Sequence, residues 1–279
     1  MNSICVMKKL KITETEKMSL KLRKYGTFPY KTAVIHGGPG APGTVAELAA
    51  GLSDMTGVLE PFQTAMSIEG QIRELKDTLK DHGELPVTLA GHSWGAWLAF
   101  MFAARYPTYV KKLILIASGP FEESYASHIM QKRLERLNND EIEEYLELSA
   151  SMANPDVKNK DYFFTRYGKL ISNADSFDIV PSGKNLSGLR YDHNKSIWKE
   201  ASYLRKSGKL LDMGKMIRCP VVAVHGNYDP HPFEGVKEPL SKTIDDFRSF
   251  LLDKCGHYPW LEKNAAEEFY HIMVEEIAG

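Results

Sequence analysis

The sequence predicts an α/β fold: a mostly parallel central sheet flanked by helices, with a helical segment inserted after the sixth strand. Three observations predict it. Short β-branched apolar runs alternate with amphipathic stretches through the first half of the chain, as strands and covering helices do. Those runs are apolar throughout rather than alternating, as strands buried on both faces are. Several of them also stop abruptly at turn-forming residues: Gly37-Gly38-Pro39-Gly40, Gly91, and Ser118-Gly119-Pro120.

Taken in order, residues 6–13 and 18–25 read as two opening strands forming a hairpin. Strands follow over 32–36, 57–60, 87–90 and 113–117, and later over 221–225 and 250–253. Helical spacing appears where Ile68, Ile72, Leu75 and Leu79 fall on one face behind Ser67, a residue suited to cap a helix start. Residues 97–105 form an apolar helix, and 264–277 places Phe269, Ile272 and Met273 opposite glutamates. Residues 120–216 differ. They hold charged amphipathic segments such as 140–152, broken at Asn154-Pro155, Gly168 and Pro181-Ser182-Gly183, with no buried strand. Nearly a hundred residues is long for a single crossover, so they are read as a helical lid between core segments 1–119 and 217–279.

The bulk composition narrows the partners. With 43% hydrophobic residues, the 279-residue chain has ample material for a core. Its 35 basic and 36 acidic residues nearly cancel, so no global field recruits nucleic acid or a membrane surface. Cys5, Cys219 and Cys255 are too few and scattered for a disulfide framework or zinc cluster. Two lysines near the start with no apolar run behind them, and no stretch of membrane-spanning length, give the expectation of a cytoplasmic protein.

The chemistry concentrates at Gly91-His92-Ser93-Trp94-Gly95, a G-x-S-x-G between a strand and a helix. A serine presented from such a turn needs minute neighbours two residues either side, and glycine has no Cβ to collide. The following helix aims its N-terminal N–H groups at the serine, where negative charge would develop. A serine needs a base, and the base an orienting acid. Asp229 follows the strand 221–225, and His257 follows the next one, both on loops at the carboxyl ends of strands. His225 within its strand, His231 beside Asp229, His271 in the last helix, Asp253 at a strand end and His92 beside the serine are the weaker rivals. For a serine on such an elbow, the next residue gives one oxyanion-hole N–H and an early loop the other, which names Trp94 and Gly38. The aromatic residues Trp94, Trp97, Tyr258 and Trp260 would wall an apolar pocket. One competing signal exists: Gly38-x-Gly40-x-x-Gly43 with Glu60 outlines a dinucleotide fingerprint. Pro39 and Pro42 each remove an N–H that such a phosphate site would use.

With these residues in place the sequence resembles the α/β-hydrolase superfamily, and within it the prolyl aminopeptidase branch, through the string His36-Gly37-Gly38-Pro39-Gly40. The likeness covers about 30–120 and 216–279. It implies a cap over a serine-hydrolase pocket that needs no metal and no organic cofactor, acting on a small-molecule or short-peptide substrate. The chain departs from that branch at Glu60 to Ser67, which lacks the arginine and glycines of the relatives' Asp-x-Arg-Gly-x-Gly-x-Ser, and at His92, where those peptidases carry glycine. Glu143, Glu144 and Glu147 are candidates to hold a substrate's amino terminus. The expected activity is therefore ester or amide hydrolysis through an acyl-enzyme. An aminopeptidase and a non-catalytic ligand receptor are the alternatives.

Overall fold

The computed structural model describes residues 21–180 and 189–279. The expected strand over 6–13, and with it the hairpin, lies outside the described residues, as does the Pro181-Ser182-Gly183 break. The apolar runs form β1 (Leu22–Tyr25), β2 (Tyr30–Ile35), β3 (Gly57–Pro61), β4 (Val87–His92), β5 (Val110–Ile116), β6 (Val221–Gly226) and β7 (Phe247–Leu252). They make one sheet in the order β1-β3-β2-β4-β5-β6-β7, parallel throughout except where β1 pairs antiparallel with β3.

The helices are α1 (Ala46–Leu52), α2 (Ile68–His82), α3 (Trp94–Arg105), α4 (Ile129–Leu134), α5 (Asn139–Ala153), α6 (Lys160–Ala174), α7 (Tyr191–Lys206), α8 (Lys209–Asp212), α9 (Glu234–Thr243) and α10 (Ala266–Ala278). Strand residues alternate between two cores, as the period of a strand requires. Ala33, Ile35, Leu113, Leu115, Val221 and Ala223 join α2, α3 and α9 on one face. Val34, Ile114, Ile116, Val222 and Val224 join α1 and α10 on the other. Helix α2 starts where Ser67 accepts a hydrogen bond from the Gly70 N–H, and α5 where Asn138 and Glu141 form a reciprocal capping box.

Between β5 and β6 the described chain is helical, apart from an isolated bridge between Ile179 and Glu262. This stretch does not pack as one body. Leu134, Leu137, Ile142 and Leu170 of the α4–α6 region share a small cluster of their own, whereas Ile197, Ala201 and Leu210 of α7 and α8 enter the main core. Gly168 is not a break. It lies inside α6, where an added Cβ would sit 2.8 Å from a Leu189 methyl, so the glycine serves close packing. No helix among the described residues is long and apolar enough to cross a membrane.

Candidate active site

Strand β4 delivers Ser93 into a left-handed backbone conformation, φ 54° and ψ −117°, and α3 begins at the next residue. A non-glycine residue held there stores strain of roughly 1–3 kcal/mol, and the surroundings fix it: the Ser93 N–H donates to the Ile116 carbonyl at 2.9 Å. A Cβ at Gly91 would overlap the Gly95 carbonyl, and one at Gly95 would overlap the Ile35 carbonyl, so both glycines of the motif are steric requirements. The parallel pairing of Ile35 with Gly91 brings the loop after β2 against the elbow. A Cβ on Gly37 would sit 3.2 Å from that of Ser93. Gly38, at φ +39°, follows in this loop. The N–H groups of Gly38 and Trp94 donate to no protein group among the described residues.

Asp229 and His257 leave the carboxyl ends of β6 and β7 on loops that interlock. The Tyr228 N–H donates to the Cys255 carbonyl at 2.8 Å, and a Cβ at Gly226 would overlap that same carbonyl. His257 Nδ1 donates to Asp229 Oδ2 at 2.7 Å. The other oxygen, Oδ1, accepts from both the backbone N–H (2.9 Å) and Nδ1 (2.8 Å) of His231. His225 approaches Oδ2 to 3.5 Å while donating from Nε2 to the His231 carbonyl at 2.8 Å. Burial alone would raise the Asp229 carboxyl, but the three surrounding imidazoles, His257 foremost, hold it well below the usual range. Burial pushes His231 down to about 4, opposed by Asp229, so this ring is neutral.

The structure thus joins Asp229 to His257 directly. Ser93 Oγ makes no hydrogen bond among the described residues; the neighbouring His92 ring lies 4.8 Å from the His257 ring. Such contacts are often long in free enzymes and tighten with substrate. Ser93 opens on a cavity of about 160 Å³ that it shares with Trp94, Trp97, Trp198, Arg133 and His231. His231 stacks on His257 with ring centroids 4.6 Å apart, so the cavity-facing imidazole is His231. Trp94 and Trp97 line the pocket as expected. Tyr258 and Trp260 do not: their rings surround His92, which donates from Nε2 to the His257 carbonyl at 2.8 Å and so braces the histidine loop.

Other expectations fall elsewhere. Glu144 lies in a separate cavity, paired with Arg166 at 2.6 Å, and neither Glu143 nor Glu147 lines the Ser93 cavity. Glu60 is sealed in the sheet edge, accepting from the Tyr25 hydroxyl at 2.7 Å, and is not presented to a ribose beside the Gly38–Gly43 turn. Cys219 and Cys255 are free buried thiols. Asp229, His231 and His257 offer three ligand atoms within 4.8 Å of one another, but both Nδ1 atoms are committed to the carboxylate. An ion would displace those bonds.

Sequence reasoning missed Arg133, Trp198 and Arg205. Arg133 grips Asp175 with Nε and Nη2 at 2.7 and 2.6 Å. The stretch 175–180 is in turn sewn to the histidine loop. The His257 N–H donates to the Asp175 carbonyl at 2.8 Å, and the buried Glu262 carboxylate accepts from the N–H groups of Gly256, Phe177 and Asp178.

A family model described as alpha/beta hydrolase fold matches residues 51–264. The Drosophila melanogaster protein named "Probable serine hydrolase" is 31% identical over 205 residues, which span 69% of this chain and 57% of that protein's length. Among solved structures, VinJ superposes with a TM-score of 0.64 at 19% identity, covering 92% of this chain and 94% of its own. The epoxide hydrolase CorEH gives 0.65 at 14% identity, with 92% and 94% covered. A proline iminopeptidase from Mycobacterium smegmatis gives 0.59 at 17% identity, with 92% and 93% covered. At such identities these structures are similar in fold alone.

Proposed function

The chain belongs to the α/β-hydrolase fold family, and on that premise we propose that it is a serine hydrolase whose nucleophile, base and acid are Ser93, His257 and Asp229. The observation that carries this reading is the 2.7 Å bond from His257 Nδ1 to the Asp229 carboxylate, beside a serine held in a left-handed elbow. Asp229 fixes the imidazole tautomer that leaves Nε2 as acceptor. Ser93 Oγ forms a bond to the carbonyl carbon of an ester or amide as its proton passes to His257 Nε2. The N–H groups of Gly38 and Trp94, which have no protein acceptor among the described residues, supply the oxyanion hole. The carbon–oxygen or carbon–nitrogen bond then breaks, the leaving group taking that proton, and an acyl-enzyme remains. Water, deprotonated by His257, releases the acid. The described helices between β5 and β6, whose Ile129, Arg133, Trp198 and Arg205 line the cavity, act as the lid over this pocket.

A second reading assigns the base to His231, because that ring lines the cavity with Ser93. Its basicity is held down to about 4, far from the neutral value that suits a general base, so His257 is preferred. The test is labelling by a fluorophosphonate together with turnover of p-nitrophenyl esters. Ser93→Ala abolishes labelling and lowers kcat by about 10⁴-fold or more. Full turnover by that variant overturns the assignment. Labelling without turnover by the unaltered protein favours a ligand receptor.

A further inference from the structure

We propose that the substrate carries a carboxylate or similar oxyanion a few bonds from the scissile carbonyl, held by Arg133 and Arg205. This rests on the serine-hydrolase reading of the same pocket.

Two guanidiniums line the cavity onto which Ser93 opens, and no carboxylate among the described residues lines it. Both side chains are largely withdrawn from solvent, at 15% and 14% exposure. Each is paired with an acid that is not itself in the wall. Asp175 binds Nε and Nη2 of Arg133, which leaves Nη1 without a protein acceptor among the described residues. Glu123 binds Nε of Arg205 at 2.8 Å, which leaves both Nη groups without a hydrogen-bond acceptor among the described residues. The Arg205 guanidinium also stands 5.5 Å over the Trp97 ring, and that ring shares the pocket with Ser93. Burial would lower Arg133, but Asp175 raises it above its ordinary value, so it stays charged. His231, the remaining titratable group of the wall, is neutral above about pH 4.

The cavity wall therefore combines the nucleophile and indole rings with two guanidiniums. Planar N–H pairs of this kind match a carboxylate or phosphate. They repel an ammonium, so the same wall disfavours a substrate with a free amino terminus.

The experiment compares 4-nitrophenyl hydrogen glutarate with its neutral counterpart 4-nitrophenyl valerate, and adds a valerate ester whose phenol bears the carboxylate. The expected result is a kcat/KM at least tenfold higher for one of the two anionic esters, expressed mainly in KM and shrinking as sodium chloride is raised. Which ester gains tells whether the anion belongs to the acyl or the leaving group. Arg205→Met lowers kcat/KM for the preferred anionic ester about tenfold more than for valerate. Equal rates on all three, or faster turnover of an aminoacyl anilide, overturn the proposal. Should no ester be hydrolysed, the serine-hydrolase reading is what fails. The anion site is then decided by calorimetry on the unaltered protein: glutarate binding with glutaramide inert supports it, and equal behaviour of the two overturns it.

Discussion

At the scale of single residues, the acid is the unusual member of the site. Asp229 serves two imidazoles at once, His257 through Oδ2 and His231 through Oδ1. His257→Ala is expected to lower kcat by about 10⁴-fold or more, the cost of losing a triad member. His231→Ala leaves far more activity, because it removes a donor to Asp229 without removing the proposed base. Initial rates of both variants check this; an equal loss in His231→Ala would show that the base is not His257 alone. The loop positions that pair Asp229 with His257 were legible in the sequence because each follows an apolar run and a turn. Arg133 was not. Its partner Asp175 lies 42 positions away in a segment full of charges, and nothing local distinguishes this pair from solvated ones.

At the scale of elements, the sheet edge sets its own pH dependence. Glu60 on β3 is buried beneath Tyr25 of β1, and burial, opposed by the Tyr25 hydroxyl and Arg23, raises it from 4.5 to about 7. Its folded-state value exceeds the unfolded one, so the stability it contributes is complete below about pH 4.5 and is lost as pH rises through about 7. Glu60→Gln should therefore gain stability relative to the parent between pH 5 and 8, by about 3 kcal/mol at most. Urea unfolding at a series of pH values measures it, and a constant difference across that range refutes it. Elements buried on both faces were readable from the sequence to within a few residues. Strand β7 was expected over 250–253 but begins at Phe247, because it pairs with β6 alone and its half-exposed start, with Arg248, breaks the apolar run. Helix α3 was expected from residue 97 but begins at Trp94. The glycines that look like a turn are demanded by the elbow's tight packing, and the helix runs straight through Gly95.

At the scale of the whole molecule, strands far apart in sequence are locked by a charge cluster in which Lys112 and Glu276 are buried and Arg248 is exposed. Lys112 of β5 donates to the Glu276 carboxylate of α10 at 3.0 Å and to its carbonyl at 2.6 Å, and Arg248 of β7 joins at 2.9 Å. Removing the Glu276 carboxylate leaves the buried Lys112 ammonium without its counter-charge, held by the carbonyl of residue 276, at about 3–5 kcal/mol. Glu276→Leu is thus expected to lower Tm by roughly 10 °C, with much of the loss recovered by adding Lys112→Met. A calorimetric scan in which the double variant is no better than the single one would overturn that account. The seam between the 175–180 stretch and the His257 loop has a different consequence, one of inheritance. The strip of chain that clamps Arg133 also cradles the backbone of His257, so the proposed roof and the proposed base are stitched along a single hem. A foreign roof grafted onto this sheet would arrive without that stitching and would unseat the imidazole before any new selectivity could be read. On the proposed reading, altered selectivity is then more accessible through substitutions inside this roof than through exchange of the roof itself.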